Sequence, residues 1–400
     1  MSVLEFSSNI FSVGVANPNL RLFDIIFHTE FGTTYNAYCV RGTQKIAVIE
    51  TVHCAKWEEY LENLQSVCDP KAIDYIVMNH TEPDHSGSLI KLLEMAPQAV
   101  VVGTTAAIRF LKAICNRDFS NIVVTDGMTL DLGGKTLKFM VAPNLHWPDS
   151  MFTYIPENEV AFTCDFLGAH YCETRSLLSQ MHNPEEYMKA FEAYYDGIFK
   201  PFKKFVLAGI QKLEPLKLQF IATSHGPILN TQIKENMAKY REWSTPVIST
   251  EKTAVIAYVS AYGYTKHLAT VAKETLENKG FVVQLFDLTE ACYTEAAEAA
   301  SCANLFLVGS PTINRDALPP IWAFLASLDA YAIIGKPVGV FGSFGWTGEA
   351  VPMIVNRLSL MKCKVQGEGF KANFNPSDAE VEGMKAYVDS MAEMVKEKTR

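Results

Sequence analysis

Apolar residues come along this chain in two different rhythms. Up to about residue 245 they form short runs rich in β-branched and aromatic residues, each closed by Gly, Asp, Pro or Asn. These runs are NAYCVRG (36–42), KIAVIETV (45–52), AIDYIVMNH (72–80), AVVVGTT (99–105), NIVVTDG (121–127), TLKFMVAP (136–143) and VAFTCDF (160–166). Such runs, bounded by turn residues, predict strands. Helical spacing between them predicts helices over 55–66, 88–95, 104–115 and 184–212. Beyond residue 250 the rhythm changes. TAVIAYVS (253–260) is a continuous apolar run followed by a loop of small residues and the helix-like TKHLATVAKETLENKG (265–280). VVQLFDL (282–288), NLFLVGSPT (304–312) and PVGVFGSFG (337–345) repeat the theme, most of them ending in a Gly- or Ser-bearing loop. Strand, loop and helix in alternation predict a doubly wound parallel sheet. The join falls in REWSTPVISTEK (241–252), giving expected domains of 1–248 and 249–400.

Composition narrows the function classes. Four hundred residues exceed one ordinary core, in keeping with two domains. The net charge of -9 comes without a basic patch, which excludes nucleic acid and anionic membrane surfaces as expected partners. No apolar run approaches the roughly 18 residues of a membrane span. The nine cysteines include no C-x-x-C pair. That predicts reduced thiols in a cytoplasm, and no rubredoxin-like module within the chain. MSVLEFSSNIFSVGV at the start lacks the basic and apolar regions of a signal peptide.

The candidate chemistry begins with YIVMNHTEPDHSGSLIKLL (75–93), which holds His80, Glu82, Asp84 and His85 within six residues. The cluster sits between an apolar strand and a helix-like run, at the strand mouth where α/β folds place ligands. One or two such residues would read as N-cap acids and surface histidines, but four together read as metal ligands. His146 follows TLKFMVA, Asp165 ends VAFTCD, and His225 follows QFIATS, so each occupies the same kind of strand end. His53, His170, His182 and His267 lack that placement and read as surface or core residues.

A second constellation lies in YVSAYGYTKHLA (258–269). Ser260, Ala261, Tyr262, Gly263, Tyr264 and Thr265 form a loop before a helix, in which Ser260, Tyr262 and Thr265 offer hydroxyls. Backbone N–H groups around Gly263 and the helix N-terminus suit a phosphate monoester. The loop has no Lys, and neither G-x-x-x-x-G-K-[ST] nor G-x-G-x-x-G is present, so nucleoside triphosphates and dinucleotides fit poorly. Pro311, Thr312, Ile313 and Asn314 in one loop, and Ser343, Phe344, Gly345 and Trp346 in another, lie at the same sheet edge. Glycines there let backbone approach a flat ring, and Trp346 and Tyr262 are candidates to flank it.

The motif H-x-E-x-D-H, followed by a lone His, Asp and His, resembles the metallo-β-lactamase fold. Its Glu form, joined to a loop S-x-Y-G-x-T that resembles the FMN loop of flavodoxins, is similar to the flavodiiron proteins. The resemblance runs through GTTYNAY (32–38), LHWPDSMFTY (145–154), GSPTIN (309–314) and FGSFGW (341–346). It implies an α/β chain: an N-terminal metallo-β-lactamase-like αββα sandwich, then a C-terminal flavodoxin-like doubly wound parallel sheet. It implies two irons, one held by His80, Glu82 and His146 and the other by Asp84, His85 and His225, with Asp165 bridging. Glu in place of the usual His favours iron over zinc. The resemblance further implies FMN on the second domain and a head-to-tail homodimer or dimer of dimers. Substrates would be O2, reduced to water, or NO, reduced to N2O. Electrons would come from a separate donor, a rubredoxin-like protein or reduced deazaflavin. The competing classes are a zinc hydrolase of the metallo-β-lactamase type with an accessory flavodoxin domain, and an electron carrier with an inert first domain. Two departures stand out: Cys164 precedes Asp165 where the family more often has Asn, and His28 is the candidate counterpart of a pocket histidine seen in relatives. Trp147, beside His146, is a candidate for the dimer junction or the core.

Overall fold

In the computed structural model, residues 3–246 and 251–395 are described. The chain divides into two compact units, 1–246 and 247–400. The expected junction between 248 and 249 lies outside the described residues.

The first unit is built on two sheets. A seven-stranded sheet runs Leu4–Ser7, Ile10–Ser12, Tyr38–Arg41, Ile46–Ile49, Tyr75–Val77, Val100–Gly103 and Asn121–Val123. Its first four strands are antiparallel and the last four parallel. A five-stranded sheet runs Thr129–Asp131, Thr136–Val141, Met151–Ile155, Val160–Cys164 and Phe220–Thr223. Side chains alternate across a strand, so neighbouring residues feed different cores. Ile49, Val77, Val102, Phe139, Met151 and Phe162 meet in the layer between the sheets. Val48, Ile76 and Val101 point the other way, onto Tyr60, Leu64, Leu92 and Leu111 of the covering helices. Met140, Phe152, Ala161 and Ile221 do the same on the far side, against Phe191, Val206, Ile210 and Tyr240. Helices outside and sheets inside give the αββα sandwich.

One expectation fails in detail. The helix expected over 184–212 is two helices, Pro184–Tyr194 and Lys203–Leu213, separated by a π-helical turn Tyr195–Phe199 and a 3₁₀ turn Lys200–Phe202. Pro201 lacks the N–H that a continuous helix needs, and its ring clashes with the preceding turn.

The second unit is one parallel sheet in the order Phe281–Asp287, Lys252–Tyr258, Leu305–Gly309, Pro337–Phe344, with a split edge strand of Lys364–Val365 and Phe370–Asn373. This is the order 2-1-3-4-5 of a flavodoxin-like sheet. Both faces are covered: Val255, Phe306 and Val340 pack onto Ile321 and Ile354, whereas Ile256, Leu307 and Phe341 pack onto Leu268 and Val388. A continuous apolar run is what two covered faces demand of a parallel strand.

Candidate metal centre and flavin site

Four strand ends build the metal site. Tyr75–Val77 delivers residues 79–82 to the edge of the sandwich, where Glu82 immediately precedes the short helix Pro83–Ser86, with Pro83 at its first position. Asn79 ties this edge to the second sheet. Its carboxamide oxygen accepts from Thr153 Oγ1 at 2.6 Å, and its carbonyl accepts from Met151 N at 2.9 Å. His146, Asp165 and His225 arrive from the ends of Thr136–Val141, Val160–Cys164 and Phe220–Thr223.

The structure brings the seven residues together as two groups. In the first, His80 Nε2 and His146 Nε2 each lie 3.2 Å from Glu82 Oε2, and 3.5 and 3.3 Å from Asp165 Oδ2. In the second, His85 Nε2 and His225 Nε2 lie 3.4 and 3.1 Å from Asp84 Oδ2, and 3.1 and 3.4 Å from Asp165 Oδ1. Asp165 thus turns one oxygen to each group. Two atoms each about 2.1 Å from a common ion, at about 100° to one another, are about 3.2 Å apart, the spacing seen here. Both Asp84 oxygens, His85 Nε2 and Asp165 Oδ1 are buried with no hydrogen-bond partner among the described residues. Buried carboxylates without partners are costly unless a cation completes them, so this donor set fits two metal ions. Mixed imidazole and carboxylate ligation suits iron.

A layer of acceptors fixes which ring nitrogen faces inward, and sequence reading assigned it no role. Asp149 Oδ2 lies 3.1 Å from His80 Nδ1 and accepts from Thr81 N at 2.8 Å. Glu50 Oε2 lies 3.6 Å from His85 Nδ1, while its Oε1 accepts from Asn79 N at 2.7 Å. The Thr34 carbonyl lies 2.6 Å from His225 Nδ1. The acceptors on His80 and His225 Nδ1 hold the proton there and leave Nε2 free for a metal, while the Glu50 carboxylate faces His85 Nδ1 as a charge partner. A signal was present for Glu50, an acid that ends an apolar strand just as Asp165 does.

Electrostatics report the same demand for positive charge. Burial lowers the His80 pKa, but hydrogen bonding to Asp149 and Glu82 overcomes it and lifts the value to about 10. His85 is likewise held well above its usual range, against its own burial, by Asp84 and Asp165. Asp165 is driven well below the carboxylate range despite burial, chiefly by the charge of His85.

The remaining candidates separate. His28 is exposed on the strand Phe27–His28 and lines a cavity between that hairpin and the helix Pro184–Tyr194. Asp24 at the hairpin tip leans toward Glu82 instead; desolvation first, then the Glu82 charge, raises its carboxyl to about 7. Asp24 and Ile25 both have positive φ, at 48° and 67°, a strained pair for non-glycine residues. Cys164 is buried, and burial holds its thiol well above its ordinary pKa. Trp147 is half-buried, its ring 5.2 Å from that of His80. His170, read as surface or core, is buried with its ring 5.1 Å from that of His225. His53, by contrast, accepts a local bond from Ala55 N, and His182 pairs with Glu173.

The flavin stretch is shaped by its backbone. Ser260 Oγ accepts from Gly263 N and Lys266 N at 3.1 and 3.2 Å, folding the loop, and Gly263 takes φ +86° where the helix Tyr264–Asn278 begins. Thr265 and Ser343 hydroxyls meet at 2.9 Å, and Thr312 N donates to the Ser343 carbonyl at 3.1 Å, so the three loops are tied together. Ala261, Tyr262, Tyr264, residues 311–313 and residues 343–345 line one cleft with Phe374, which sequence reading missed. A Cβ at Gly345 would come within 2.4 Å of the Phe374 ring, so only glycine leaves that surface flat. Tyr262 and Trp346 are 83% and 88% exposed, their rings uncommitted to the core. Asn314, at φ 53°, follows the cleft residues in its loop. Open rings over a backbone-lined cleft beside a helix N-terminus fit a phosphate-bearing flavin.

Comparison with known proteins agrees with both halves. Residues 33–226 match the family model of the ODP family beta lactamase, and 256–386 match that of flavodoxin. The flavo-diiron protein FprA2 of Clostridium acetobutylicum is 45% identical over 99% of this chain and all of its own length. The type A flavoprotein fprA of Rhodobacter capsulatus is 38% identical over 95% of this chain and 89% of its own. Among solved structures, the rubredoxin oxygen:oxidoreductase of Desulfovibrio gigas matches with a TM-score of 0.68 at 28% identity, covering 98% of each chain. The flavodiiron protein of Giardia intestinalis matches with 0.65 at 28% identity, covering 99% of this chain and 97% of that one. The chain belongs to the flavodiiron family of oxidoreductases, with a metallo-β-lactamase-like domain of the diiron type followed by an FMN-type flavodoxin domain.

Proposed function

We propose that this protein reduces O2 to water, NO to N2O, or both, in the cytoplasm, using electrons from a separate donor such as a rubredoxin-like protein or reduced deazaflavin. The observation that carries the reading is Asp165, which offers one oxygen to each of two ligand groups. His80, Glu82 and His146 would hold one iron, Asp84, His85 and His225 the other. When bound, the iron pair supplies reversible Fe(II)/Fe(III) chemistry and FMN supplies one-electron transfer. The protein's own part is positional. Asp149, Glu50 and the Thr34 carbonyl orient three ligand imidazoles. Ser260 and Thr265 shape the loop for the flavin phosphate, and the 311–314 and 343–346 loops receive the ring. A head-to-tail homodimer, alone or paired into a tetramer, would set one subunit's flavin against its partner's irons. The name of the D. gigas relative, an oxygen oxidoreductase of rubredoxin, supports the donor and substrate classes. The test is stopped-flow oxidation of fully reduced, iron- and FMN-loaded protein by O2 and by NO in turn. Rapid reoxidation by one or both gases is expected. Two zincs per chain and no reaction with either gas would overturn the reading.

A further inference from the structure

A cavity of about 470 Å³ lies within the N-terminal unit, beside the second ligand group. Ile26, Phe27, Phe31, Ala190, Ala193 and Ile198 supply its apolar walls, and Arg21, His28, Thr29, Glu30 and Lys189 also line it. Glu30 and Lys189 pair at 2.6 Å, which leaves no net charge from the two of them.

Three observations give this space a purpose. The first is position. Its inner wall includes His170 and Tyr194, whose rings stand 5.1 and 6.0 Å from that of His225, so one layer of side chains separates it from a ligand of the second group. The second is an unfilled polar need. His170 Nε2 and Tyr194 Oη are both buried with no hydrogen-bond partner among the described residues, although His170 Nδ1 meets Thr33 Oγ1 at 2.9 Å. The third is the distorted helix. The π-turn Tyr195–Phe199 starts directly after Tyr194 and puts Gly197 and Ile198 on the cavity wall. A Cβ at Gly197 would stand 3.0 Å from two atoms of the Phe27 ring, so the glycine lets the two walls meet there. π-turns are rare and cluster at functional places.

Most of the surface exposed to the space is apolar, and apolar surface favours apolar guests over ions. We propose that this cavity is the antechamber through which an apolar diatomic gas reaches the second ligand group, with His170 and Tyr194 as its inner wall; this rests on the gas-reducing function proposed above.

The test uses xenon as an apolar probe in pressurised crystals, together with gas kinetics of reduced, iron- and FMN-loaded protein. Ala193→Trp fills the space from the helix side. Ile26→Trp fills it from the hairpin side; both positions are exposed, and the second keeps the test alive if the first does not fold. Xenon is expected in the wild-type cavity and absent from the filled variants. The gas concentration giving half-maximal rate should rise by about fivefold with the limiting rate unchanged, the mark of impaired access rather than altered chemistry. Absence of xenon, or an unchanged gas dependence in the filled variants, overturns the antechamber while leaving gas reduction standing. Xenon in the cavity of a wild type that reduces neither gas overturns the function and the antechamber with it.

Discussion

The two halves hold their cofactors by opposite means. The metal half converges seven charged or imidazole side chains into a buried cluster, and several of their atoms have no hydrogen-bond partner among the described residues. The flavin half contributes backbone, hydroxyls and two rings that stay in solvent. A buried cluster of acids is an unbalanced charge that only a cation settles, whereas an open loop of amides is satisfied by water until a ligand arrives. Loss of metal should therefore damage the fold of its half, and loss of flavin should barely disturb the other.

The largest effect tests the shared carboxylate. Asp165→Ala should drop iron from two per chain to well below one, measured by elemental analysis, and lower the melting transition of the N-terminal unit while FMN content holds. A ligand at about 1,000 times its dissociation constant adds about 4 kcal/mol to the folded state, which sets the scale of that loss. In stripped protein, protons must supply the missing charge. His80 then has a folded pKa of about 10 against an ordinary 6.5, so the stability it contributes is full below pH 6.5 and is lost as pH rises through 10. Denaturant melts of stripped and loaded protein between pH 6 and 10 should show that slope only in the stripped form.

A smaller effect separates orientation from ligation. Glu50→Gln and Asp149→Asn keep the ligands but weaken the acceptors on Nδ1, and should reduce metal affinity about 10- to 100-fold in chelator competition. Wild-type affinity in both would show that packing alone sets the ring orientations. The smallest effect belongs to the flavin half. Thr265→Val breaks the bond to Ser343 and should raise the FMN dissociation constant about 5- to 10-fold by fluorescence titration, the equivalent of about one hydrogen bond, with metal content unchanged. A comparable loss of iron would erase the contrast between the halves.

Much of the architecture was legible because both halves use strong local patterns. The seven N-terminal runs contain the strands Tyr38–Arg41, Ile46–Ile49, Tyr75–Val77, Val100–Gly103, Asn121–Val123, Thr136–Val141 and Val160–Cys164. The four C-terminal runs overlap the strands Lys252–Tyr258, Phe281–Asp287, Leu305–Gly309 and Pro337–Phe344. What escaped was set by contacts distant in sequence. Glu50 and Asp149 read as an ordinary strand-end acid and a turn acid; only their approach to His85 and His80 gives them a role. His28 and Asp24 lie on one hairpin, and its turn decides which of them faces Glu82. Phe374 is 29 residues from Gly345, yet its ring covers that glycine.

By itself the sequence determined the elements, their order in two α/β units and the residue types able to bind metal and flavin. Alternation, apolar runs and clustered ligands are local properties that the chain carries before it folds. The tertiary structure decided the pairing: which carboxylate faces both ligand groups, which acceptors lock the imidazoles, and where a broken helix leaves an apolar space beside them. Those depend on strand ends meeting across two sheets, and no short-range pattern encodes a distance between residues 80 positions apart.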